Sequence, residues 1–158
     1  MQTIKDKLKA TGLVGALFLL TISFASAADS ADSANSWMTD FEAAQSKAAE
    51  TGKPMLLNFS GSDWCHWCIQ LDKEVLSQDA FQEYAASELV LVEVDFPRGK
   101  QQSEAVKTQN KALAEKYGIR GFPTVILLSS EGELIGQTGY RPGGAEAYVA
   151  HLKEGFIQ

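Results

Sequence analysis

The chain has 158 residues, 45% of them hydrophobic and 22% charged, with a formal net charge of −6. That length and balance suit one globular domain with a sizeable core and exclude a disordered chain or a coiled coil. The acidity argues against nucleic acid and anionic membrane surfaces as partners.

The N-terminus differs from the rest. Lys5, Lys7 and Lys9 form a basic end, residues 11–24 (TGLVGALFLLTISF) carry no charge, and Ala25, Ser26 and Ala27 follow. A basic end, a short apolar run and an A-x-A site read as a secretory signal peptide over residues 1–27, cleaved before Ala28. The apolar run is shorter than the roughly 20 residues that span a bilayer, so no stable membrane insertion is expected after cleavage. Loss of Lys5, Lys7, Lys9 and Asp6 would take the formal charge from −6 to −8. Residues 28–36 (ADSADSANS) read as a flexible, solvated lead-in, and the folded domain is expected over residues 37–158. The expected location is periplasmic or secreted, where disulfides persist.

Thr39 and Glu42 stand at capping-box spacing, and Phe41, Ala44 and Ala48 share a helical face up to Gly52, which predicts a first helix over 39–51. KPMLLNFS, residues 53–60, reads as a buried strand. Trp64, Cys68, Leu71 and Val75 then form one stripe of a helix that begins near Cys65, and SQDAFQEYAAS extends or restarts it. LVLVEVDF, residues 89–96, is a second buried strand. Strand, helix, strand in that order is a parallel unit with a right-handed crossover, which makes this an α/β domain. Val106, Asn110, Leu113 and Tyr117 mark a further helix that Gly118 ends. A hairpin around SSEG follows, and Ala145, Val149, Leu152 and Phe156 line a last helix.

Both cysteines of the chain lie in GSDWCHWCIQ, residues 61–70. A structural disulfide, a metal clamp and a redox centre all start from C-x-x-C. Closing a four-residue ring constrains the unfolded chain by only roughly 2 kcal/mol, against about 4.7 kcal/mol for a 100-residue loop, so a staple here achieves little. Structural zinc needs four ligands, and beyond the cysteines only His66 and His151 offer nitrogen; His151 reads as a surface histidine. Haem attachment would need histidine at position 69, which is Ile69. The redox reading accounts for more. Cys65 at a helix start faces unpaired N–H groups and the positive end of the helix dipole, which favour thiolate, while Cys68, one turn on, is shielded. One thiol attacks and the other resolves. His66 is either a tuner of the Cys65 thiolate or a solvated loop histidine. Trp64 and Trp67 read as packing and substrate-facing surface.

These residues resemble the thioredoxin superfamily. WCHWC between a buried strand and a helix is similar to the thioredoxin W-C-x-x-C site, and residues 116–140 (KYGIRGFPTVILLSSEGELIGQTGY) are similar to the segment thioredoxins carry after their third helix. The resemblance covers about residues 37–156. It implies a thioredoxin-like fold, a central mixed sheet with helices on both faces, and Pro123 as a cis-proline facing the disulfide, with Phe122 before it contacting substrate. It also implies an exported thiol-disulfide oxidoreductase of the reductase kind that needs no bound cofactor and no metal. Its partners would be cysteine-containing extracytoplasmic proteins and an upstream thiol or disulfide redox partner. An oxidant or isomerase, or a binding module with a passive disulfide, are the alternatives. The chain departs from the pattern at Asn58: thioredoxins carry a buried aspartate there that serves the resolving cysteine, and an amide is no general base. Asp63 is the nearest carboxylate in sequence and the candidate for proton transfer; its plainer reading is an exposed loop acid near a helix N-terminus.

Overall fold

Alternation along one strand sets the layers of the fold. In the computed structural model, which describes residues 37–157, strand β1 (Met55–Ser60) is buried along its whole length and sends successive side chains to opposite faces. Met55, Leu57 and Phe59 pack with Ala44, Ala48 and Leu113 on one face. Leu56 packs with Leu71, Phe81, Tyr148 and Leu152 on the other. A strand buried on both faces belongs in the middle of a covered sheet, and β1 stands there: the order is β2 (Val90–Asp95), β1, β3 (Thr124–Leu128), β4 (Leu134–Thr138). β2 runs parallel to β1, β3 runs antiparallel to β1, and β4 antiparallel to β3. This is the expected mixed sheet. The signal-peptide and lead-in readings, residues 1–36, lie outside the described residues.

Helices α1 (Phe41–Thr51) and α4 (Glu104–Lys116) cover the Phe59 face; α2 (His66–Leu71), α3 (Asp79–Glu88) and α5 (Gly144–Gly155) cover the other. The cap of α1 is Asp40 rather than Thr39, its carboxylate accepting from Ala43 N at 3.0 Å. A carboxylate suits the positive end of a helix better than a hydroxyl. Met38, just before α1, accepts from Glu93 N at 2.8 Å and donates to Leu91 O at 2.9 Å, so it covers part of the edge that β2 would otherwise expose.

Helix α2 is too short to persist on its own. Its inner residues hold it, since burying a side chain such as Leu71 contributes about 1.5–3 kcal/mol. The predicted stripe is kept at Cys68, Leu71 and Val75, all buried, whereas Trp64 lies before the helix. After Leu71 the chain widens into a π-helical turn, Asp72–Leu76, closed by Ser77 N donating to Asp72 O at 2.9 Å. The wider turn brings Val75 and Leu76 into the core together. Ser77 and Gln78 then break the helix and α3 restarts it.

Candidate active site

The site begins where β1 ends. From Ser60 the chain turns through residues 61–64, with Trp64 N and Cys65 N both donating to Gly61 O, at 3.1 and 2.8 Å. A Cβ on residue 61 would come within 2.5 Å of the Trp64 ring, so glycine is what lets the indole lie against the turn. Cys65 has extended backbone and is the N-cap of α2; its Sγ accepts from Cys68 N at 3.2 Å. Cys65 and Cys68 are joined as a disulfide with Cα atoms 5.2 Å apart. Both are buried in this oxidised form, at 7% and 4% exposure. What separates them is position: Cys65 sits at the helix start among free N–H groups, and Cys68 one turn inside.

Aromatic side chains frame the pair. Trp64 donates from Nε1 to Phe96 O at 2.8 Å, carries the Arg98 guanidinium 4.0 Å over its ring, and meets Phe122 edge-on at 5.9 Å. Phe122 stacks on Phe96 at 5.2 Å, and the Phe122–Pro123 bond is cis. The cis-proline segment therefore lies against the residue that precedes Cys65. On the other side, Trp67 is 54% exposed and lies 5.2 Å from both His66 and Tyr140. Tyr140 Oη donates to Glu74 at 2.6 Å, which fixes the ring under Trp67. With Ile69, 48% exposed, these rings make an apolar rim on the α2 side of the site. His66 is exposed and rests against Trp67.

Asp63 is engaged with the loop after β2. Its carboxylate accepts from Arg98 N at 3.0 and 3.2 Å and from Gly99 N at 2.6 Å, and those N–H groups, Arg98 first, hold its pKa below the ordinary carboxylate value. Ser62 adds a second tie, donating from N and Oγ to Asp95 at 2.9 and 2.6 Å, while Lys100 donates to Ser62 Oγ at 3.0 Å. The turn before Cys65 is thus laced to the loop after β2.

The site is thus a strand-to-helix turn carrying a C-x-x-C disulfide beside a cis-proline, on a four-stranded mixed sheet. The Thioredoxin-like domain family matches residues 41–155. The chain belongs to that family. Disulfide bond reductase DsbH of Chlamydia pneumoniae is 40% identical over 101 residues, 64% of this chain and 61% of that protein. Thioredoxin-related protein DsbJ of the same organism is 36% identical over 142 residues, 88% of this chain and 41% of that protein. A solved DsbH oxidoreductase superposes with a TM-score of 0.73 at 35% identity, over 76% of this chain and 83% of that one. The chain thus spans 61% and 41% of the lengths of these two curated relatives, less than two thirds of each.

Behind Cys68, this thioredoxin-like domain opens a cleft of about 430 Å³ lined by Asn58, Cys68, Asp72, Glu93, Asp95 and Lys100 among others. Strand alternation explains the gathering. Asn58 shares the Leu56 side of β1 and Glu93 the Leu91 side of β2, so both face α2, and the parallel register sets Asn58 opposite Glu93. Asn58 Nδ2 donates to Glu93 Oε2 at 3.2 Å, while Asn58 Oδ1 is buried without a hydrogen-bond partner. Burial pushes the Glu93 carboxyl up to about 7; Asn58 opposes this, Asp95 and Asp72 add to it, and Lys100 opposes it. Sequence reasoning passed over Glu93. Its signal was present as one of two acids, with Asp95, inside LVLVEVDF, a run otherwise fit for burial, but its neighbour on β1 is a matter of sheet register.

Among the described residues, no group of three or more His, Cys, Asp and Glu side chains is arranged to hold a metal ion. His151 is partly buried rather than at the surface, its Nε2 3.0 Å from Thr138 Oγ1 and its ring between Tyr148 and Phe156.

Proposed function

We propose that this chain is an exported thiol-disulfide oxidoreductase that reduces disulfides of other extracytoplasmic proteins, with Cys65 as nucleophile and Cys68 as resolving thiol. The observation that carries the reading is the N-cap position of Cys65, whose sulfur already accepts the Cys68 N–H. The same N–H, with the helix dipole, stabilises a thiolate there and makes it a nucleophile and a leaving group. The rim of Trp67, Tyr140 and Ile69, with Phe122 and the cis Pro123 on the other side, is where a substrate chain would lie. No metal and no cofactor enters the exchange, and the acidic surface suits neither nucleic acid nor an anionic membrane. Among the described residues no helix is long and apolar enough to cross a membrane.

The reducing direction is favoured by what surrounds Cys65. A strong oxidant needs its thiolate stabilised by several donors, and here the added group is His66, exposed and turned onto Trp67. The relative DsbH is named a disulfide bond reductase, which supports the same direction. Export rests on residues 1–27 and is consistent with a redox-active pair that meets oxidised partners. Residues 37–158 would be the working domain, and an upstream thiol donor would return the pair to the reduced state.

Insulin reduction driven by dithiothreitol tests the activity. The wild-type chain accelerates precipitation of the insulin B chain, and Cys65→Ser gives the trace of dithiothreitol alone; indistinguishable traces for the two proteins would leave only a binding module. Asp63 we assign to holding the 97–99 loop rather than to moving a proton, because its oxygens are occupied and its pKa is lowered. Asp63→Asn accordingly keeps most of the activity in that assay. A loss near the roughly hundredfold scale of acid–base catalysis, with folding intact, would return proton transfer to Asp63.

A further inference from the structure

We propose that Glu93 is the proton acceptor for the resolving thiol Cys68, with Asn58 positioning its carboxyl in both protonation states. The inference rests on the cysteine exchange proposed above. That exchange has a proton problem: Cys68 is shielded, and its thiol must lose a proton before its sulfur can attack Cys65. The cleft on the inner side of Cys68 is the place where an acceptor can stand.

The other carboxylates near it are committed. Asp95 accepts twice from Ser62, Asp72 accepts from Ser77 Oγ at 2.9 Å, Glu74 is held by Gln70 and Tyr140, and Asp63 is spent on the 97–99 backbone. The Glu93 carboxylate has one hydrogen bond, from Asn58, and otherwise fronts the cleft that Cys68 also lines. A catalytic base works best when its pKa lies near the working pH, and burial raises that of Glu93 to about 7. The groups facing it are Asp95 on its own strand, Asp72 from the π turn, Lys100 from the following loop and Asn58 from β1.

Asn58 fits this role better than an acid would. An ionised Glu93 accepts from Asn58 Nδ2, as in the structure. A protonated Glu93 has a hydrogen to donate, and a half-turn of the amide offers it Oδ1, the atom now without a partner. An aspartate in place of Asn58 would set a second negative charge against Glu93 and hinder its ionisation. Relative to the thioredoxin pattern, the carboxyl stands on the neighbouring strand, and the amide on β1 is its hydrogen-bonding partner.

The step balances. Cys65 thiolate breaks the substrate disulfide, releases one substrate thiolate and forms a mixed disulfide. Cys68 passes its proton to Glu93 through the cleft and attacks Cys65 Sγ; the Cys65–Cys68 bond forms and the second substrate thiolate leaves. The substrate gains the two electrons that the cysteine pair loses, and Glu93 returns its proton to water.

The coloured disulfide dithiobis-nitrobenzoate separates the two steps in a stopped-flow experiment on the reduced protein. Release of the first thiolate depends on reagent concentration and reports Cys65; release of the second is unimolecular and reports Cys68. Glu93→Gln, a neutral match for the protonated acid, should leave the first phase unchanged and slow the second about a hundredfold at neutral pH, the lower range of general-base help. The second phase of the wild type should rise with pH and level off as Glu93 ionises, and the variant should lack that limb. Adding Asn58→Asp to Glu93→Gln returns a carboxylate to the same cleft from β1 and should restore the second phase, which a packing role for Glu93 would not do. A second phase in Glu93→Gln with the rate and pH profile of the wild type overturns the inference while leaving the exchange intact. Absence of any colour release from the wild type overturns the exchange itself and the inference with it.

Discussion

Cys68→Ala will accumulate covalent complexes with substrate proteins, and Cys65→Ala will accumulate none. Cys65 is the N-cap of α2 and carries the N–H contact that a thiolate needs, while Cys68 lies a turn further in, under the helix and at the cleft. Once Cys65 has attacked, the mixed disulfide is released by the neighbouring thiol, because a thiol held one helical turn away acts at an effective concentration far above that of any free thiol. Removing Cys68 leaves only external thiols to break the complex. Incubating each reduced variant with oxidised insulin and running non-reducing gels, with mass spectrometry of the adduct, reads this directly. Complexes formed through Cys68 in the Cys65→Ala protein would reverse the assignment.

A second large effect is expected on stability. The folded pKa of Glu93, about 7, lies above its ordinary value of 4.5. Below about pH 4.5 both folded and unfolded chains hold the proton and Glu93 costs nothing. Between about 4.5 and 7 the folded chain keeps a proton that the unfolded chain releases, so stability falls as pH rises, and above about 7 the loss is complete. At about 1.4 kcal/mol per pKa unit, the loss is about 3 kcal/mol. His151 works against it in part of that range: burial lowers its pKa, so stability on its account is lost as pH falls through its ordinary value of about 6.5. Asp63, whose pKa is lowered, contributes stability that disappears only at more acid pH. Urea unfolding of the oxidised wild type and Glu93→Gln, measured at steps from about pH 4 to 8, isolates Glu93 in the difference. The two curves should coincide at the acid end and separate with the variant more stable at the alkaline end. A constant difference across the range would show that Glu93 ionises as an exposed glutamate does.

Much of this was legible residue by residue. The run of buried residues in β1, the cysteine at a helix start and the α2 stripe at Cys68, Leu71 and Val75 are local patterns, and local patterns carry their own periodicity. What stayed hidden depended on partners distant in sequence. Asp40 displaced Thr39 as the cap because only one of two adjacent polar residues takes the capping geometry. The π turn at Asp72–Leu76 inserts a residue that no helical period announces. Asp63 looked like the acid nearest the thiols because it is near in sequence, yet its carboxylate is turned onto the backbone of residues 98 and 99. Glu93 is 25 residues beyond Cys68 in number and comes to line the same cleft only when β2 lies beside β1 in register. The cis bond before Pro123 follows the resemblance rather than anything in Gly121-Phe122-Pro123 itself.

The redox potential of the Cys65–Cys68 pair tests the central claim most directly, because it decides whether the exchange runs as a reduction. A thiolate favoured by one helix start, beside an exposed histidine and an apolar tryptophan, is stabilised only moderately, so the disulfide should be hard to reduce. Equilibration of the purified domain in glutathione and dithiothreitol buffers should give a potential closer to the thioredoxin value of about −270 mV than to the DsbA value of about −120 mV. A potential more oxidising than about −180 mV, that of protein disulfide isomerase, would contradict the reductase account and make the protein a donor of disulfides.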